Sequence, residues 1–216
     1  MGGWRIGAAI GGVTLAIGLA LAAHGGAPAA GPAYTADGKL LFPEGYRDWA
    51  FLTSGFNMAY VEGPEAAAAA GIFDNVFVNR EAVDGFKRDG VWPDKTEMVL
   101  EIRRGQQNGS INKRGRFQTD PVATEVHVKD TARFKDNGGW AFFAFRGQAP
   151  AQLLPATADC YTCHRDHGAT DTTFVQFYPT LAPIARAKGT FKETEAVQPA
   201  ASRAPPASAA TGPAAP

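Results

Sequence analysis

Thr96-Glu97-Met98-Val99-Leu100-Glu101-Ile102-Arg103 is the stretch that decides the fold class. Along an extended chain Met98, Leu100 and Ile102 point one way, and Glu97, Val99, Glu101 and Arg103 point the other. That period of two predicts a strand with one buried face and one mostly wet face. Upstream, Ile72–Val78 is β-branched and aromatic and predicts a second strand. Asn79 is placed to cap a helix over residues 80–88, where Val83 and Phe86 share a face. Gly90 and Pro93-Asp94 mark its exit. Further upstream, residues 44–52 are short and aromatic, which predicts a strand or a short helix leading into one. Pro64, Glu65 and five alanines predict a short helix, with a loop insert as the alternative.

Downstream, residues 105–115 form a polar hairpin connection rich in Gly and Asn. Residues 115–119 and 123–128 predict strand pieces broken by Pro121. In the second piece Glu125, His127 and Lys129 share one face, opposite Thr124, Val126 and Val128. Residues 135–139 form a turn, and Trp140–Phe145 predicts a strand buried on both faces. A short helix over 158–165 and a last one over 181–187 complete the chain. The fold class is α+β: a predominantly antiparallel β-sheet with a few short helices.

Cys160-Tyr161-Thr162-Cys163-His164 contains both cysteines of the chain. The C-x-x-C-H spacing is that of a c-type haem attachment. Two thiols one helical turn apart can each form a thioether to a haem vinyl group, and His164 then lies under the porphyrin as proximal iron ligand. A thioredoxin-like dithiol and a zinc site are the alternatives. Cys160, Cys163, His164 and His167 supply four potential zinc ligands, but structural zinc usually draws its pairs from separate segments. One haem c per chain, with both thiols consumed and no disulfide, is the expectation.

Residues 4–23 are apolar apart from Arg5 and Thr14, and Ala27-Pro28-Ala29 offers a small-residue cleavage pattern. Residues 1–29 therefore predict a secretory signal peptide, with a retained membrane anchor as the alternative. Export to the periplasm agrees with haem attachment outside the cytoplasmic membrane. Residues 193–216 are mostly Ala, Pro and Ser and predict a disordered tail. Residues 34–192 remain as one domain. With 21 basic and 21 acidic residues there is no basic stripe for nucleic acid.

The chain resembles the cytochrome P-460 family, which includes the cytochromes c′-beta. The resemblance runs over residues 40–179 and rests on blocks in order: Tyr46-Arg47-Asp48-Trp49, Asn75-Val76-Phe77-Val78, Phe86-Lys87-Arg88-Asp89-Gly90, Gly138-Gly139-Trp140-Ala141-Phe142-Phe143, the haem motif, and residues 171–179. It implies a periplasmic β-rich protein, commonly a homodimer, with one haem c, His as proximal ligand and a readily opened iron. Two behaviours are found in the family. P-460 enzymes oxidise hydroxylamine and carry an extra lysine bond to the haem; c′-beta members lack it and look like binders of nitric oxide in an apolar pocket. The cross-linking lysine aligns with Leu100 and a distal arginine with Asp74, so both are missing here, while the distal carboxylate aligns with Glu125. Lys95 is close to the lysine position but sits at the turn.

The expected ligand is a small gas such as nitric oxide or another small nitrogen species, with a redox partner protein. A hydroxylamine-oxidising or peroxidase-like enzyme, with Glu125 as proton acceptor, is the first alternative. A simple electron-transfer cytochrome is the second. Glu125 reads equally as a solvent-facing strand residue, and His127 as a surface residue rather than a distal ligand. Met58 and Met98 read as core rather than axial ligands. Phe56, Phe73, Phe77 and Leu100 form a candidate apolar distal cap. His167 is expected beside the haem edge, and Arg165 near the proximal side or in solvent.

Overall fold

The computed structural model describes residues 31–60, 63–64 and 71–197, together with Met1. The signal segment, nearly all of the helix expected after Pro64, and the tail beyond residue 197 lie outside the described residues. Among the described residues no helix is long and apolar enough to cross a membrane.

Among the described residues five strands form one antiparallel sheet in sequence order: β1 (Ala50–Phe56), β2 (Ile72–Val78), β3 (Glu97–Gln106), β4 (Phe117–Lys129) and β5 (Trp140–Phe145). Short helices fill the connections and the C-terminal side: α1 (Arg80–Asp89), α2 (Asp159–His167) and α3 (Ala182–Ala187). The predominantly antiparallel α+β expectation is therefore what the chain builds. Helix α1 ends at Gly90, whose φ of 77° is left-handed and whose N–H donates to the Phe86 carbonyl at 2.7 Å. The capping role expected of the Asn79 side chain is not observed. Its Oδ1 instead accepts from the Glu97 N–H at 2.8 Å, fastening the start of α1 to β3.

Two further expectations are corrected. Residues on either side of Pro121 belong to one continuous strand, because β4 bulges opposite Arg103 and so accommodates the missing N–H. More consequentially, the face of β3 expected to be wet is buried. Val99 is fully buried, and Glu97 and Glu101 are 4% and 2% exposed. This face packs Val99, Val126, Phe143 and Phe145 against Leu40 and Tyr46. Glu101 is tolerated there because Arg47 Nε (2.7 Å), Arg103 Nε (2.5 Å) and the Tyr46 hydroxyl all donate to it. On the other face Val78 and Met98 join Phe86, Trp92, Trp140 and Leu181 in a second cluster under α1 and α3.

Glu97 carries a testable cost. Burial pushes its carboxyl up to about 7, against ~4.3 in an unfolded chain. The folded state thus binds more protons between those values, and stability falls as pH rises through that window. Glu97→Gln should remove this fall and stabilise the protein at pH 8 by about 3 kcal/mol. Urea unfolding of both proteins at pH 5 and pH 8 measures it; an equal pH dependence in the two would refute the assignment.

Candidate functional site

The site face of the sheet follows from strand register. Residues paired directly across an antiparallel ladder point to the same face. Val76 pairs with Leu100, Leu100 with Glu125, Met98 with His127, and His127 with Phe142. These side chains, with Asp74 from β2 and Thr53 from β1, form one wall of a cavity of about 590 Å³. The opposite wall is α2 with Cys160, Cys163 and His164, and the chain after it with Phe174, Phe177 and Tyr178. The volume lies within the ~300–1,000 Å³ of small-molecule and cofactor clefts.

Both cysteines and His164 thus face one cavity from one helix, as the pentapeptide spacing requires. Helix α2 ends against the turn at residues 170–173. A Cβ on Gly168 would lie 2.8 Å from Thr172 C and Thr173 N, so only glycine permits this approach. The approach brings His164 Nδ1 to 2.9 Å from the Thr172 carbonyl. A carbonyl only accepts, so Nδ1 carries the proton and donates it, and Nε2 keeps the lone pair. The ring is held edge-on by Phe142 (4.7 Å between centroids) and tilted against Phe174 (4.3 Å). Burial lowers the pKa of His164, against the opposing effect of the Thr172 bond, so the imidazole is neutral and available as a ligand.

His127 is a correction. It was expected at the surface, but it is buried, stacked on Phe142 at 4.0 Å and edge-on to His164 at 4.8 Å. Its Nε2 has no hydrogen-bond partner among the described residues. Burial, and then the neighbouring His164, push its pKa well down, so it too is neutral. An unpartnered buried nitrogen on the wall of a cavity indicates a guest that the cavity is built to hold.

Glu125 lies on the cavity wall, two residues from His127 on the same face. Its side chain is exposed to the open cleft, as the solvent-facing alternative expected, yet partial desolvation by the surrounding walls raises its pKa, and the charge of Asp74 raises it further. Asp74 lines the same wall, and its pKa is raised by burial. Leu100 also lines the cavity, but Phe56, Phe73 and Phe77 do not form the expected cap. Register places Phe73 and Phe77 opposite Arg103 and Val99, on the other face, with the Phe56 ring tilted against Phe73 at 4.5 Å. The apolar lining comes instead from Val76, Met98, Phe142, Phe174 and Phe177. Met58 and Met98 both line the cavity. Lys95 lies at the turn before β3 with its Nζ held by Asp130 at 2.6 Å. His167 and Arg165 are solvent-exposed, near Glu195 and bound to Asp166 respectively.

An apolar cleft of this size, with two thiols and a neutral imidazole converging from one helix, fits a flat macrocyclic cofactor ligated through His164 Nε2. The family model for cytochrome P460 matches residues 43–175, which spans the whole sheet, α1, α2 and the turn that holds His164. No curated relative matches the sequence. The match covers most of the chain, including the sheet and the helix that carries both cysteines, and the chain therefore belongs to the cytochrome P460 family of haem cytochromes.

Proposed function

We propose that this protein is an exported mono-haem c protein whose cavity takes a small nitrogen ligand such as nitric oxide. The observation that carries the proposal is the pairing of His164 Nδ1 with the Thr172 carbonyl, in a side chain that shares its cavity with Cys160 and Cys163. Cys160 and Cys163 hold the haem through thioethers, and His164 Nε2 ligates its iron. The bound haem supplies a metal that takes up small ligands and exchanges electrons with a partner protein. Val76, Met98 and Leu100 give the facing wall an apolar surface, which favours a neutral diatomic over an anion. Asp74 and Glu125 also repel anions from that wall. The apolar run at residues 4–23 supports a periplasmic location, and the family resemblance a homodimer. Denatured mature chain should retain one haem by mass, and the ferrous protein should bind nitric oxide. A low-spin ferrous spectrum indifferent to nitric oxide would refute gas binding.

A second reading is favoured by one observation: the raised pKa of Glu125 on the cavity wall. A carboxylate with a raised pKa is the better proton acceptor for an N–H or O–H substrate such as hydroxylamine. Glu125→Gln should then lower turnover with an added electron acceptor by about a hundredfold or more. Unchanged turnover would reject the base role and leave gas binding standing.

A further inference from the structure

The turn that faces His164 is strained and held by groups the haem motif does not contain. Asp171 and Thr172 have φ of 50° and 57°, consecutive left-handed residues without a glycine. Thr170 and Thr173 bridge around them, with the Thr173 N–H donating to the Thr170 carbonyl at 2.9 Å. A turn with two left-handed central residues ordinarily uses Asn-Gly or Asp-Gly. A left-handed conformation is unfavourable for β-branched Thr172, so another interaction must impose the geometry.

That interaction is the Asp171 carboxylate. Lys129 Nζ donates to its Oδ2 at 2.5 Å and Trp140 Nε1 to its Oδ1 at 3.2 Å. Lys129 and Trp140 are cross-strand partners at the ends of β4 and β5. Lys129 Nζ donates also to the Trp92 carbonyl at 2.8 Å, which fixes the ammonium independently of Asp171. The Lys129 and Asp171 side chains are only 14% and 21% exposed, so the pair is better shielded than a surface ion pair. The clamp thus runs from the sheet through Asp171 to Thr172, and from the Thr172 carbonyl to His164 Nδ1.

We infer that Asp171 is a positioning residue for His164: gripped by Lys129 and Trp140, it holds the turn in the conformation that aims the Thr172 carbonyl at Nδ1–H. This rests on His164 being the axial ligand. A bonded Nδ1–H gives the imidazole partial imidazolate character and makes Nε2 a stronger donor. The sheet thereby sets the strength of a ligand that lies far from it in sequence. A broken clamp lets the turn relax, and the carbonyl swings away from the ring.

The test uses holo-protein carrying Asp171→Ala, Asp171→Asn or Lys129→Met. The readouts are the iron–imidazole stretch by resonance Raman, the midpoint potential and thermal stability. Asp171→Ala should lower the stretching frequency. It should also shift the reduction equilibrium toward the ferrous form about tenfold, ~59 mV for one electron. Asp171→Asn keeps an acceptor for Trp140 and should recover part of both shifts. If Asp171→Ala does not mature, Lys129→Met decides by the same two shifts. A fall in stability with frequency and potential unchanged would mean a merely structural aspartate and overturn the inference. The underlying reading fails separately: in that case His164→Ala leaves the iron–imidazole band of the native protein in place.

Discussion

Glu101→Ala should cost about 3–5 kcal/mol of stability, lowering the melting temperature by roughly 2–4 °C for each kcal/mol in a domain of this size. Glu101 is 2% exposed and is the shared acceptor of Arg47, Arg103 and Tyr46. Alanine removes the acceptor and leaves the buried Tyr46 hydroxyl and the largely buried Arg103 guanidinium facing a void. The penalty is mostly that of stranding these donors, not the net value of the ion pair. A double change, Glu101→Leu with Arg103→Met, should therefore recover much of the loss.

The effect also has a pH signature. Burial alone would raise the Glu101 carboxyl, but hydrogen bonds from Arg103, Tyr46 and Arg47 outweigh it and hold the group at about 2. The unfolded value is ~4.3. A depressed folded pKa gives stability that is present above the unfolded value and lost as pH falls toward the folded one. The gap between wild type and Glu101→Ala should thus be full at pH 7 and should shrink between about pH 4 and pH 2. Melting temperatures of both proteins across that range decide it; a gap already absent at pH 7 would sink the argument.

The strands were legible because alternation is local. Ile72–Val78 and Trp140–Phe145 stand where periodicity places them. That the second face of β3 is core as well as the first was not legible. Reading polar residues as wet misses it here, since Glu101 is satisfied by Arg47 and Tyr46, more than fifty positions away. Phe73 and Phe77, expected in the cap, lie on the face away from the cavity, with the parity of Asn75 and not of Asp74 and Val76. Within the site, the haem motif announced Cys160, Cys163 and His164 together, because one helix carries all three. His127 had only a weak signal, its place beside Glu125 on one face of β4. Thr172 had none, since its contribution is a backbone carbonyl. Asp171 stood inside a recognisable family block, but nothing in the sequence joins it to Lys129 and Trp140 until β4 and β5 pair.

His164→Ala is the substitution with the largest expected effect on the site. Two imidazoles line the cavity with centroids 4.8 Å apart, so the identity of the ligand is a real choice. Two features favour His164. It lies on the helix that carries both thiols, and its Nδ1–H has a fixed acceptor, which leaves Nε2 with the lone pair. The ring of His127 is instead stacked on Phe142 and tilted over Trp140 at 4.2 Å, an arrangement that fixes it to the sheet. Alanine at 164 should therefore abolish the nitrogen-ligated ferrous spectrum. Activity or ligand affinity should fall by more than the ~10–100-fold that loss of an outer-shell partner costs. The thioethers proposed at Cys160 and Cys163 are independent of the imidazole, so the haem mass should stay on the denatured chain. Free imidazole at millimolar concentration should enter the space left between Phe142 and Phe174 and restore the spectrum. Retention of the native spectrum in His164→Ala without added imidazole would move the axial role to another residue, with His127 the nearest imidazole to supply it.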